Sequence, residues 1–142
     1  MTPPATRAER TGVFAAVAVG GALGAVLRWL LGEHVPDQGG FPWTTFAINV
    51  SGSFALALLP ALSGVRSSPV LTAGLGPGLL GGYTTLSAYA DQTRALVVAG
   101  SEGLAAAYVA GTLAACLAAV AVAARLSSDV EQQSFRLAGG EE

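Results

Sequence analysis

Thr45, Asn49 and Ser53 recur every four residues on an otherwise apolar stretch, which in a helix places one amide and two hydroxyls along one face. Groups of this kind make hydrogen bonds rather than break covalent bonds. An amide in an apolar setting either ties helices together or faces water or a ligand. A weaker line, Tyr108, Thr112 and Cys116, repeats the spacing later in the chain, and two such lines suggest the walls of a narrow polar track. Between them Gly81-Gly82-Tyr83-Thr84-Thr85 interrupts an apolar run. A helix broken there offers carbonyls to a cation and, from the resumed helix, N–H groups with positive partial charge to an anion; a glycine kink for packing accounts for the same residues. Gly12, Ala16, Gly20, Gly24 and Arg28 form a third series at four-residue steps, and small residues on such a stripe let another helix approach closely. Arg28 ends the stripe either as a side chain reaching for lipid headgroups or as a cation at the mouth of an anion pathway.

Other chemistries find little support. Cys116 is the only cysteine, so one chain holds no disulfide, and its Ala-rich setting reads as packing. His34 is the only histidine and lies in a Pro/Gly-rich connection without cysteine or acidic partners at ligand spacing, which suits a solvated loop residue. Lysine is absent and the net charge is −2, so there is no basic patch for nucleic acid.

The elements that must position the polar lines follow from charge. Of 142 residues 11% are charged, less than half the roughly 25% of a soluble domain. Residues 11–27, 38–65, 67–90 and 103–124 carry no charge at all, and each gap approaches or exceeds the roughly 17–25 residues of a helix that spans a bilayer. The chain is therefore read as an all-α membrane protein: a polar N-terminal tail over 1–10, a four-helix membrane domain over 11–126, and a polar, mobile C-terminal tail over 127–142. The four spans fall at about Gly12–Leu31, Trp43–Leu62, Val70–Val98 and Leu104–Ala124. Trp29 and Trp43 flank the loop between the first two as interfacial anchors. Four thin helices rich in small residues enclose a polar pathway poorly, so an oligomer, most simply a dimer, is expected. A conventional soluble enzyme is excluded.

Read together, GGALGAVLRW (20–29), TTFAINVSGSF (44–54), GGYTTLSAY (81–89) and YVAGT (108–112) resemble the Fluc/CrcB family of fluoride channels, one motif per span, with coverage from about Gly12 to Leu126. The resemblance implies an antiparallel dimer of four-helix subunits in the inner cell membrane, the third helix broken near the bilayer midplane. It also implies two narrow fluoride pathways, a central structural sodium ion and passive export of cytoplasmic fluoride. Carried over by position, Asn49 matches the pore asparagine, Arg28 the first-helix arginine, and Tyr108 and Thr112 the fourth-helix polar track, with Ser53 on the Asn49 line. Gly81 and Thr84 match the residues whose backbone carbonyls hold sodium. The family's TTFSTF is not kept: its two pore phenylalanines correspond to Leu86 and Tyr89, so one ring is lost and the other gains a hydroxyl.

Two further classes are weighed. A small dimeric proton-coupled exporter needs an acidic residue within a span; Asp91 is the candidate, and Arg94 at i+3 neutralises it. A non-conducting or half-functional partner in a heterodimeric fluoride channel is kept open by Leu86. With alternating crossings, Arg7, Arg10, Arg66, Arg125 and Arg136 share one side against Arg28 and Arg94 on the other. That bias favours the tails inside and a paralogous partner of opposite orientation.

Overall fold

The computed structural model describes residues 7–35, 37 and 40–139, with side chains as far as Ser127. Helix α1 covers Arg7–His34, small and apolar from Gly12 to Leu27, with Glu9 near the positive N-terminal end of its dipole. After Pro42 the chain forms α2, Trp43–Leu58, which tightens into a 3₁₀ turn at Leu59–Ala61 where Pro60 withholds an N–H. A one-turn α3, Ser63–Arg66, follows. Ser68 then opens α4, Pro69–Ala73: its hydroxyl accepts the Leu71 N–H at 3.3 Å, and Pro69 occupies a first-turn position that needs no donor.

From Gly74 to Leu80 the helix widens to π-type hydrogen bonding around Pro77. The proline ring clashes with the carbonyl four residues back in an ordinary helix, and a wider turn with i→i+5 bonds relieves the clash. Regular geometry returns in α5, Gly81–Tyr83. Thr84 (φ −75°, ψ 158°) and Thr85 (φ −147°, ψ 119°) are extended, and α6 runs from Leu86 to Val98. Gly100, at φ +74°, makes the turn into α7, Glu102–Gly139.

Among the described residues three helices are long and apolar enough to cross a membrane: Arg7–His34, Trp43–Ala61 and Glu102–Ser127. The chain is an all-helical, multi-pass membrane protein. Only five hydrophobic residues are buried among those described, while large ones such as Phe14, Leu23, Leu113 and Leu117 are open, an inside-out distribution that suits lipid or a second protein surface rather than water. The segment 69–98, read as a third span, is built in pieces, the longest of them 13 residues. The interruption read over Gly81–Thr85 is narrower, confined to Thr84 and Thr85. Helix begins at Arg7 and continues to Gly139, so it extends into both polar tails. The first six residues of the N-terminal tail and the last three of the C-terminal tail lie outside the described residues.

Packing divides the subunit. Helix α1 lies along the π-helical turn and α5, whereas α2 and α6 pack on α7. Gly20 and Gly24 of the α1 stripe are buried, and a Cβ on Gly20 would strike Gly74 O and Leu79 N, one on Gly24 Leu79 O and Tyr83 N. The stripe thus brings backbone against backbone. From the other side a Cβ on Gly52 of α2 would run into the side chain of Thr84, so this glycine lets α2 press on the interruption.

Candidate functional site

The polar line of α2 meets the interrupted helix through its central residue. Asn49 Nδ2 donates to Thr85 O at 3.0 Å, and Asn49 Oδ1 accepts the Thr85 N–H at 2.9 Å. Two extended residues inside a helical bundle leave backbone groups without helical partners, which is costly away from water. A side-chain amide, with one donor edge and one acceptor edge, matches both groups of a single residue. The remaining loose groups are handled similarly. Thr85 Oγ1 caps α6 by accepting the Ala88 N–H at 3.1 Å, Thr84 returns both its N–H (3.0 Å) and its hydroxyl (2.9 Å) to Leu80 O, and Arg28 Nε donates to Gly82 O at 3.3 Å.

Beside this brace lies a cavity of about 570 Å³, lined in part by Asn49, Ser53, Leu86, Tyr89, Thr112 and Cys116, with Gly81 and Thr84 on its wall. None of its lining residues is charged. Thr112 is 4% exposed, and its hydroxyl, buried on this wall, has no hydrogen-bond partner. A buried hydroxyl without a partner forfeits one to a few kcal/mol, about 1–3 by mutational measures, unless something in the cavity supplies one. Asn49 keeps one N–H beyond the two bonds it makes. Leu86 is 77% exposed, and Tyr89 spends its hydroxyl on Val109 O at 3.1 Å. The arrangement offers neutral donors and one aromatic ring, a set that can solvate a small anion and can perform no covalent step.

Two residues read into the same track stand elsewhere. Tyr108 is fully buried and lines neither cavity; its hydroxyl donates to Gln92 Oε1 at 2.9 Å, and its ring lies 5.1 Å from that of Tyr89 and 5.3 Å from that of Phe41. It fixes the Tyr89 ring from behind. Arg28 lines a second cavity, about 450 Å³, with Thr45, Gln92 and Thr85 on its wall. Its guanidinium binds the interrupted backbone, a use that neither reading of the sequence supplied. Thr85 is the one residue common to the two cavities.

Thr85 and Gln92 carry more of this geometry than the sequence assigned them. Gln92 had a usable signal, since it falls three residues after Tyr89 on a helix and so shares its face. The role of Thr85 depends on Asn49, 36 positions away. Asp91 and Arg94 form a surface pair at 2.9 Å, each side chain 69% exposed, away from both cavities. Among the described residues there is no cluster of three His, Cys, Asp or Glu side chains fit for a metal.

Comparison with known proteins identifies the family. The family described as CrcB-like protein, Camphor Resistance (CrcB), matches residues 15–124, and the chain belongs to that family. It is 47% identical over 106 residues to a protein of Novosphingobium aromaticivorans named fluoride-specific ion channel FluC, covering 70% of this chain and 82% of the relative. A Nocardia farcinica protein named fluoride-specific ion channel FluC 2 is 40% identical over 111 residues, 76% of this chain and 79% of the relative. A third, from Rhodospirillum centenum and named as the first, is 45% identical over 101 residues, 68% and 80%. All three are named as ion channels, in line with the expectation that the chain is no enzyme.

Proposed function

We propose that this chain is a subunit of a passive fluoride channel that lets cytoplasmic fluoride leave through the cell membrane. The observation that carries the reading is the buried, unpartnered hydroxyl of Thr112 on the wall of an uncharged cavity shared with Asn49, Ser53 and Tyr89. Fluoride holds its water tightly, so a pore must replace that water with fixed donors. Thr112 Oγ1 and the spare N–H of Asn49 are such donors, and the positive ring edge of Tyr89 adds a weaker one. No charged lining residue is present to trap the ion, and conduction needs binding that is weak enough to release.

The segment from Pro69 to Val98 forms the fourth crossing in this reading, its interruption lying in the membrane. Two subunits, inserted antiparallel, close the open side of the cavity, where Leu86, Leu113 and Leu56 are exposed, and make two pathways. A structural sodium ion fits the interruption. In a continuous helix the N–H of residue i+4 closes on carbonyl i; here Thr85 N–H, due to Gly81 O, goes to Asn49, and Ala88 N–H, due to Thr84 O, goes to Thr85 Oγ1. Carbonyl oxygens relieved of their helical donors are ligands for a hard monovalent cation, and Gly81 and Thr84 would hold it.

The deciding experiment is fluoride efflux from liposomes holding the purified protein alone. Rapid, uncoupled efflux is expected, and none with a paralogous partner present or absent would overturn the reading. A second reading rests on Leu86, which puts an exposed aliphatic side chain on the cavity wall: the chain conducts through only one of two pathways and depends on a paralogous subunit. Robust efflux from the homodimer removes that dependence.

A further inference from the structure

Asn49 bridges two features that the proposed function treats separately. Its donor edge faces Thr85 O, and its acceptor edge takes the one N–H that would otherwise close α5 onto Gly81 O. Thr85 Oγ1 does the same for Thr84 O by taking the Ala88 N–H. Both carbonyls are thereby kept out of the helical ladder by side chains, and both side chains also line the cavity beside Thr112. Gly52, one turn from Asn49 on the same helix, leaves no room for a larger side chain between α2 and Thr84, so α2 is pressed against the interruption and the amide pair is held in register.

We propose that Asn49 is a positioning residue for the cation site: the amide on the anion pathway is what keeps the Gly81 carbonyl available, with Thr85 Oγ1 as its counterpart for Thr84. The inference rests on the sodium reading above. It makes the two ions' sites interdependent, because removing the Oδ1 acceptor lets Thr85 N–H return to Gly81 O and repair the helix at the expense of the ligand. Substitution at Asn49 therefore weakens sodium binding although Asn49 itself touches no cation.

The test uses the full-length dimer purified in detergent, with melting temperature followed against sodium concentration and a large organic cation making up the ionic strength. Asn49→Asp keeps an acceptor for Thr85 N–H, and Thr85→Ser keeps the cap on Ala88; both should respond to sodium at least at wild-type concentrations. Asn49→Leu and Thr85→Val should each need about tenfold more sodium for the same stabilisation, the net worth of one hydrogen bond. Thr85→Val keeps the β-branched shape, so it tests the coupling even if Asn49→Leu does not fold. Wild-type sodium dependence in Asn49→Leu, or in Thr85→Val, overturns the coupling. A wild-type protein indifferent to sodium instead removes the sodium reading, and the inference falls with it.

Discussion

The two sides of the interrupted helix are built on opposite principles. On the α1 side, Gly20 and Gly24 bring two backbones together with no space for a Cβ. On the α2–α6–α7 side a cavity of about 570 Å³ lies beside the same helix, its largely apolar wall carrying a few hydroxyls and one amide. Tight packing transmits strain and fixes geometry, while a cavity leaves the polar groups on its wall in need of partners. One side holds the broken backbone still so that the other can present it.

The sharpest way to break this contrast is to add volume on the close-packed side. Gly24→Val should abolish the folded subunit, a loss of at least ~3 kcal/mol, because the new side chain meets backbone atoms of the π-helical turn and α5 that cannot turn away. Gly32→Ala on the same helix, where an added Cβ meets nothing within 4 Å, should keep or raise stability by up to about 1 kcal/mol. Thermal melting and size-exclusion profiles in detergent distinguish the two.

On the open side the expected loss is of conduction and not of folding. Asn49→Asp puts the cavity's single negative charge on its wall, so fluoride efflux should drop to the level of empty liposomes while the size-exclusion profile stays that of the wild type. Unchanged efflux would take Asn49 out of the pathway. Thr112→Val is milder and more revealing. It removes the proposed donor to the anion, worth ~1.5–3 kcal/mol for a charged partner, so efflux should fall roughly ten- to hundredfold. Stability should hold or rise, since a buried hydroxyl without a partner is replaced by a methyl group. A parallel loss of stability would mean that Thr112 serves packing.

Leu86→Phe gives the smallest change and bears on which subunit conducts. Supplying a ring edge of the strength of an aromatic contact, ~0.5–1.5 kcal/mol, should raise efflux from the homodimer about two- to tenfold. No change, with a conducting wild type, would show that the wall at Leu86 does not border the ion's route.

What could be read from the sequence was what is local in it. The charge-free runs located α1, α2 and α7 because a bilayer requires continuous apolar helix, and four-residue steps put Asn49 and Ser53 on one face and Thr112 and Cys116 on another; the structure brings those faces to one cavity. The glycine stripe pointed to close packing but not to its partner, because Gly74–Tyr83 is identified only by the fold. The purpose of Arg28 was hidden for the same reason: its acceptor lies 54 residues away. Tyr108 shows the limit of periodicity. It keeps the spacing of the Thr112 line, yet a bulky ring one turn from the cavity is drawn into the cluster with Phe41 and Tyr89 and ends fully buried. The long helical extension of α7 was missed because residues 127–139 are polar without the apolar stripe that marks a packed helix.

The widened turn at Gly74–Leu80 sets the phase of everything after it. Each residue of an α-helix advances the side chains by about 100° and 1.5 Å, and a π-type turn accommodates an extra residue without lengthening the helix by a full step. Deleting one residue there should let the segment relax to ordinary pitch and leave Thr85 near the amide that meets it, whereas a deletion in the regular turn of α5 would swing Thr85 about a quarter-turn away. The bundle's tolerance of length changes should accordingly be lopsided: one residue can leave the widened turn, and none can leave the three residues of α5 that follow it.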